Sequence, residues 1–257
     1  MDKLVVSQKN HSVMSVNTDM GIATELTDYF SFFVPGYKYM PAFRNKVWDG
    51  KIRLYNSQAQ ELPVGLYPYL QDFCGPRNYE VEVKNNKFYG QPGDTVDVDP
   101  AELSAFINDL SLSTKGQRIN PHDYQIEAIC EGLHRKRSIL LSPTGSGKSL
   151  IIYVLMRYLL EKTNKKCLII VPTTSLVQQM YTDFEDYSHY DNDFIVENEC
   201  HRIYSGKEKN VGQSIIISTW QSVYKLPGKW FEQFSTVFGD ECHGFKSKSL
   251  TSIMNKC

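Results

Sequence analysis

The chain has 257 residues, 41% of them hydrophobic and 22% charged, which is room for one large or two ordinary domains with a core of normal size. Its formal net charge of −1 supplies no global positive field, so any contact with nucleic acid has to rest on local clusters. No apolar run approaches a membrane span, and Met1-Asp2-Lys3-Leu4-Val5-Val6 lacks the apolar segment of a signal peptide. The six cysteines (Cys74, Cys130, Cys167, Cys200, Cys242, Cys257) form no C-x-x-C pair and read as reduced thiols of a cytoplasmic protein. Cys200-His201 and Cys242-His243 fit no zinc-finger spacing.

Residues 1–111 read as a small α+β domain. Leu4-Val5-Val6 and Val13-Met14-Ser15-Val16 are expected to pair antiparallel across Gln8-Lys9-Asn10. Thr18 is placed to cap a helix whose Ile22, Leu26, Tyr29 and Phe30 share one stripe, and Pro35-Gly36 stops it. Asp49-Gly50 is a hairpin-turn signal, and the alternation after it puts Lys51 and Arg53 on one strand face. Lys38, Arg44, Lys46, Lys51 and Arg53, interleaved with Tyr37, Tyr39, Phe43 and Trp48, suit a surface that tracks phosphates and stacks bases. A solvated strand face over a small aromatic core would show the same residues, and the pattern leaves both readings open. A helix is expected around Tyr67–Phe73, a strand at Tyr79–Val83, and a second helix started by Asp99-Pro100-Ala101-Glu102 that buries Leu103, Phe106, Ile107 and Leu110. The polar stretch 112–117 reads as the linker to a second domain, 118–257.

In that second domain helical patterns alternate with nearly continuous apolar runs: Ile139–Leu141, Cys167–Val171, Ser214–Ser218 and Thr236–Phe238. Such runs predict strands buried on both faces, hence an α/β fold with a mostly parallel sheet. The first run leads into Ser142-Pro143-Thr144-Gly145-Ser146-Gly147-Lys148-Ser149, and a further apolar run leads out. Strand, glycine loop and helix in that order make a phosphate-binding loop for a nucleoside triphosphate. Gly145 and Gly147 let successive N–H groups converge, Lys148 reaches the outer phosphates, and the Ser149 hydroxyl is a ligand for Mg²⁺. The loop opens with Ser142 where the general pattern has glycine. Downstream, Asp240-Glu241 closes the run Thr236-Val237-Phe238-Gly239. A carboxylate at a strand end opposite the loop can hold Mg²⁺, which assigns Asp240, and Glu241 is placed to orient or deprotonate water. Gly239 is a poor strand residue just before them, and His243 read alone is a hydrogen-bonded structural histidine.

Asp240-Glu241-Cys242-His243 resembles the Walker B signature of superfamily 2 helicases, the DEAD/DEAH-box group. Tyr124-Gln125, Pro172-Thr173-Thr174-Ser175-Leu176-Val177-Gln178-Gln179, Ser205-Gly206 and Ser218-Thr219-Trp220-Gln221-Ser222 resemble further motifs of that group in the same order. Adding Trp48–Leu54 and Arg118–Gln125, the resemblance narrows to the recombination and repair helicases of T-even-type bacteriophages, and it spans both domains. It implies an RecA-like lobe, and an ATP-dependent helicase or translocase acting on DNA that is branched or partly single-stranded. It implies ATP contacts from Gln125, Thr144, Gly145, Ser146, Gly147, Lys148 and Ser149, with Mg²⁺ at Ser149 and Asp240. It adds His243 to Lys148, Asp240 and Glu241 as a catalytic residue. DNA phosphates would meet Thr173, Thr174, Gly206, Thr219 and Gln221, and Lys51 and Arg53 on the N-terminal domain. The place of action would be the bacterial cytoplasm, that of an infected host for a phage protein. Nothing after His243 resembles the next helicase motif or an arginine-bearing second lobe, so the chain is expected to be an N-terminal portion that turns ATP over slowly. Other readings are a small-molecule kinase, which would need an arginine-rich lid, a non-catalytic DNA- and nucleotide-binding module, or the motor part of another DNA-processing enzyme.

Overall fold

Leu4, Val6, Met14 and Val16 are fully buried while the residues between them are not, and that alternation places two strands on one core. The computed structural model describes residues 3–10, 12–84, 95–135, 137–163, 165–204, 206–209, 211–242, 248–254 and 256. They pack as two units, Met1–Asp94 and Thr95–Cys257.

In the first unit β1 (Lys3–Gln8) pairs antiparallel with β2 (Val13–Asn17), as the sequence predicts. The helix α1 (Met20–Tyr29) is capped by Asp19, whose carboxylate accepts from the N–H groups of Gly21 and Ile22. Thr18 instead donates its hydroxyl to the Lys3 carbonyl, so it is not the cap. Next come β3 (Ser31–Phe33), the short α2 (Pro41–Arg44) and β4 (Lys51–Arg53). Strands β3 and β4 pair antiparallel with the whole of 34–50 between them, so Asp49-Gly50 does not form a two-residue hairpin turn. Gly50 has φ +83°, and a Cβ there would stand 2.3 Å from Cδ2 of Tyr37, so the glycine serves ring packing inside a long loop. Strand β5 (Glu61–Pro63), helix α3 (Tyr67–Cys74) and β6 (Glu80–Lys84) complete a sheet of order β5-β2-β1-β6, in which β6 runs parallel to β1.

The second unit opens with α4 (Pro100–Asp109), capped by Asp99 as expected. Its Phe106 meets Tyr158 edge-on at 5.1 Å and its Glu102 pairs with Lys162, so this helix packs with the residues that follow it. The stretch read as a linker is a small hairpin of β7 (Ser113–Thr114) and β8 (Gln117–Arg118). Lys115 and Gly116 turn it at positive φ, and the Asp186 carboxylate clamps it by accepting from the Lys115 N–H and the Thr114 hydroxyl. Helix α5 (Asp123–His134) and helix α6 (Lys148–Thr163) flank the glycine loop.

The remaining elements alternate: β9 (Lys166–Val171), α7 (Thr174–Tyr187), α8 (Val196–Glu199), β10 (Cys200–Ile203), β11 (Ile215–Thr219), α9 (Trp220–Val223), α10 (Gly228–Phe231), β12 (Phe234–Gly239) and α11 (Lys248–Met254). The strands form an all-parallel sheet of order β10-β11-β9-β12. Cys167, Ile169 and Val171 of β9 face a core shared with α4, α5, α6 and α7, whereas Leu168 and Ile170 face one built from α9, α10 and α11. Helices thus cover both faces, which is why these strands are apolar throughout. This is the α/β lobe with a small α+β unit ahead of it that the sequence predicts. One expected strand does not form. Ile139 and Leu141 are 74% and 93% exposed, and among the described residues 138–141 join no strand. Among the described residues β12 pairs with β9 alone, so its other edge stays open, and of the apolar run only Leu140 packs against the core.

Candidate nucleotide site and nucleic-acid edge

Two glycines shape the loop ahead of α6. Gly145 and Gly147 have φ +80° and +76°, a region that side chains with a Cβ rarely enter. At Gly147 a Cβ would lie 2.3 Å from Nε2 of Gln125, so even a methyl would displace that amide. Gln125, 4% exposed, is committed at both ends: Nε2 donates to the Ser146 carbonyl (2.8 Å) and Oε1 accepts from the His122 N–H (2.8 Å). The Tyr124 hydroxyl donates to the same Ser146 carbonyl at 3.1 Å. Ser146 donates its hydroxyl to the Pro143 carbonyl at 2.7 Å and meets the Ser142 hydroxyl. Ser142, where glycine is usual, is thus part of the internal bonding of the loop. Thr144 and Gly145 are exposed at its tip. Helix α5 and the glycine loop form one hydrogen-bonded cradle, with the start of α6 directed at the space an anion would fill.

The acidic pair meets that cradle. Asp240 follows β12, and its N–H donates to the Ile170 carbonyl of β9 at 2.9 Å, extending the ladder through Gly239. Glu241 takes φ +52°, and its N–H donates to Oδ1 of Asp240 at 3.0 Å. That turn brings Oε1 of Glu241 to 3.5 Å from Nζ of Lys148. Burial pushes the Asp240 carboxyl above its ordinary value and the Glu241 charge adds to the rise, while the bond from the Glu241 N–H and the Lys148 charge oppose it. Lys148, Asp240 and Glu241, distant in sequence, therefore share one site. The Ser149 hydroxyl and the Asp240 carboxylate are hard oxygen donors of the type Mg²⁺ takes. Among the described residues no group of three or more His, Cys, Asp or Glu side chains is arranged around a metal position, so a metal here would draw its remaining ligands from phosphate and water. His243 lies outside the described residues.

Sequence reasoning missed what surrounds Ser149. Its hydroxyl lies 2.8 Å from the Tyr187 hydroxyl at the end of α7. Asp183, one turn earlier, stands beside it: burial pushes that carboxyl up and the Ser149 hydroxyl holds it back. No local pattern marks either residue, because tertiary packing alone brings α7 to α6.

The residues assigned to DNA gather partly at one edge. Thr173 caps α7, accepting from the Leu176 N–H at 3.3 Å, and both Thr173 and Thr174 are exposed. Thr219 pairs with Val171 at the ends of β11 and β9, so it neighbours them across the ladder. It is 4% exposed and its hydroxyl bonds Ser222 at 2.9 Å, so a phosphate there would meet backbone N–H groups at the start of α9 rather than the threonine side chain. Gln221 is exposed and reaches the Pro172 carbonyl at 3.5 Å, and Gly206 is exposed at φ +81°. This is the carboxyl edge of the parallel sheet, where Asp240 also stands. In the first unit Lys51 and Arg53 differ from each other. The Arg53 guanidinium holds the Asp49 carboxyl down to about 2, and the two form an ion pair. Lys51 lies over the Phe33 ring at 5.1 Å.

A glycine loop cradled by a glutamine helix and met by an Asp-Glu pair at the carboxyl edge of a parallel sheet defines a P-loop NTPase lobe of the RecA-like kind. Residues 118–257 match the family described as type III restriction enzyme, res subunit, and the chain belongs to that family. Residues 3–84 match a second family, described as DNA helicase UvsW, N-terminal. The chain is 37% identical over 252 residues to the ATP-dependent DNA helicase uvsW of Enterobacteria phage T4, covering 96% of this chain and 49% of that protein. It is 28% identical over 148 residues to the DNA 3'-5' translocase XPB2 of Sulfurisphaera tokodaii, covering 58% of this chain and 30% of that one. A crystal structure of the UvsW helicase from bacteriophage T4 superposes with a TM-score of 0.80 at 35% identity, covering 100% of this chain and 89% of the other. The resemblance to phage helicases read from the motifs is borne out across both units. The chain spans about half the length of the T4 protein. Among the described residues no helix is long and apolar enough to cross a membrane.

Proposed function

We propose that this chain carries the ATP- and DNA-binding parts of an ATP-dependent DNA helicase or translocase that works on branched DNA in recombination, repair and fork processing, in the cytoplasm of an infected bacterium. The observation that carries the reading is the approach of Glu241 to Lys148 beside the Gln125-braced glycine loop. Phosphates would lie on the main chain of Thr144–Ser149, with Lys148 moving from Glu241 to the outer phosphates. Ser149 and Asp240 would hold Mg²⁺, which neutralises phosphate charge when bound. With Lys148 on the phosphates, the Glu241 carboxylate would orient or deprotonate the attacking water. His243, at the end of the same stretch, would complete the catalytic group. Gln125 supports the site by holding the Ser146 carbonyl, so its contribution to ATP binding passes through the loop. DNA phosphates would run over Thr173, Thr174, Gly206 and the Thr219–Gln221 turn, and a branch would engage Lys51 and Arg53 on the first unit.

Single-turnover ATP hydrolysis, measured with and without forked DNA on the wild-type chain and on Glu241→Gln, tests the reading. Slow, DNA-dependent hydrolysis that Glu241→Gln abolishes while forked DNA still binds is expected. Phosphate transfer to a small-molecule acceptor would point to a kinase, and nucleotide binding without any hydrolysis would point to a binding module.

A further inference from the structure

Ser149 is the P-loop residue that offers an oxygen to a metal, and its hydroxyl is already engaged from outside the loop. Tyr187 Oη lies 2.8 Å away, with the Asp183 carboxyl beside the same group. The two residues stand four apart on α7 and so share a face of that helix. The Tyr187 ring is fixed independently of its hydroxyl, because it packs against Tyr153 of α6 at a centroid distance of 5.6 Å. Tyr153 is fully buried and also meets Phe184 of α7 at 5.2 Å, so the α6–α7 contact holds the phenol in place. A serine hydroxyl has one proton and two lone pairs. Held by Tyr187 Oη on its α7 side, the hydroxyl has its rotation fixed, and with it the direction of the lone pair left for a metal. Partners of this kind orient metal ligands, and their loss typically costs about 10–100-fold in metal affinity. A phenol is suited to the role because it both donates and accepts without adding a charge that would compete for the cation.

We propose that Tyr187, with Asp183 beside it, is a positioning residue that orients the Ser149 hydroxyl toward the Mg²⁺ of a bound nucleoside triphosphate. The inference rests on the reading of Lys148 and Ser149 as a nucleotide site. Tyr187 touches neither nucleotide nor metal in this account. It acts through Ser149, and its effect is confined to the metal-dependent part of binding.

The test is equilibrium binding of a fluorescent ATP analogue in Mg²⁺ and in EDTA, for the wild type, Tyr187→Phe, Ser149→Ala, the double variant and Lys148→Ala. Phenylalanine keeps the ring packing, and thermal unfolding checks that the variants fold. Tyr187→Phe is expected to weaken binding about 10-fold in Mg²⁺ and to leave it unchanged in EDTA. In the Ser149→Ala background it is expected to have no further effect. Unchanged affinity in Mg²⁺, an equal loss in EDTA, or an undiminished loss in the Ser149→Ala background each overturns the proposal. If Lys148→Ala abolishes binding while Tyr187→Phe is silent, only the positioning role falls. If Lys148→Ala binds as the wild type does, the nucleotide-site reading falls and takes the positioning role with it.

Discussion

Gly147 in the phosphate loop and Gly50 in the aromatic loop of the first unit sit at φ +76° and +83°, and at both a Cβ would come within 2.3 Å of a neighbouring side chain. The surroundings differ. Beside Gly147 the neighbour is the Gln125 amide, buried and hydrogen-bonded at both ends, so the group a Cβ would displace is itself held in place. Beside Gly50 the neighbour is the Tyr37 ring, in a region that leaves Phe33, Tyr39 and Val47 exposed, pairs Arg53 with Asp49 and lays Lys51 over the Phe33 ring. The same backbone device serves a pre-organised polar cradle in one place and an open apolar and cationic surface in the other. A cradle of that kind tolerates no local change, whereas the open loop can be retuned one charge at a time.

Substitutions can break or sharpen this contrast. The largest effect is expected of Gly147→Ala. It enters a backbone region that costs about 1–2 kcal/mol and displaces Gln125 from bonds whose loss costs about 1–3 kcal/mol more. ATP affinity should fall by about 100-fold in equilibrium binding, because the loop N–H groups no longer converge. Gly50→Ala should cost about 2 kcal/mol in the unfolding of the first unit, seen by calorimetry, and leave ATP affinity unaltered. If it weakened ATP binding as much as Gly147→Ala does, the two regions would not be independent.

Asp240→Asn should act in opposite directions on stability and function. Burial raises this carboxyl above its ordinary value of 3.8, so the charged form is the one that folding disfavours. The penalty is full above the raised folded value and absent below 3.8, where both states are protonated. The variant should therefore unfold at a higher temperature at neutral pH, with the gain vanishing in acid, while Mg²⁺-dependent nucleotide affinity drops. The smallest effect is expected of Asp49→Asn, which releases Arg53 from its partner. Affinity for forked DNA should rise about 2-fold, with a salt dependence steeper by about one charge. Unchanged affinity would place the DNA elsewhere on the molecule.

What was legible in the sequence follows the same contrast. Cys167–Val171 and Ile215–Thr219 could be read as buried parallel strands because both of their faces are covered by helices. The phosphate loop could be read because its glycines answer to backbone geometry, which is local. Ile139–Leu141 has the same apolar texture, but a strand also needs a neighbour, and no run of residues declares its own neighbour. Asp49-Gly50 looked like a turn for a similar reason: the signal is local, while the pairing of β3 with β4 encloses residues 34–50. Arg53 read as one of five cations suited to phosphates, and the fold pairs it with Asp49. Tyr187 was invisible, since only the packing of α7 on Tyr153 of α6 carries it to Ser149.

The central claim is that the glycine loop and the Asp240-Glu241 turn form one nucleotide site, with Lys148 passing between Glu241 and phosphate. The most direct measurement is the Mg²⁺-ATP affinity of the wild type, Lys148→Ala and Glu241→Gln. Lys148→Ala should weaken binding at least about 10-fold through loss of a charge-assisted phosphate contact. Glu241→Gln should tighten it about 2–4-fold, because a partly exposed ion pair no longer competes for the lysine. Unchanged affinity in Lys148→Ala, or a loss in Glu241→Gln as large as that in Lys148→Ala, would contradict the account.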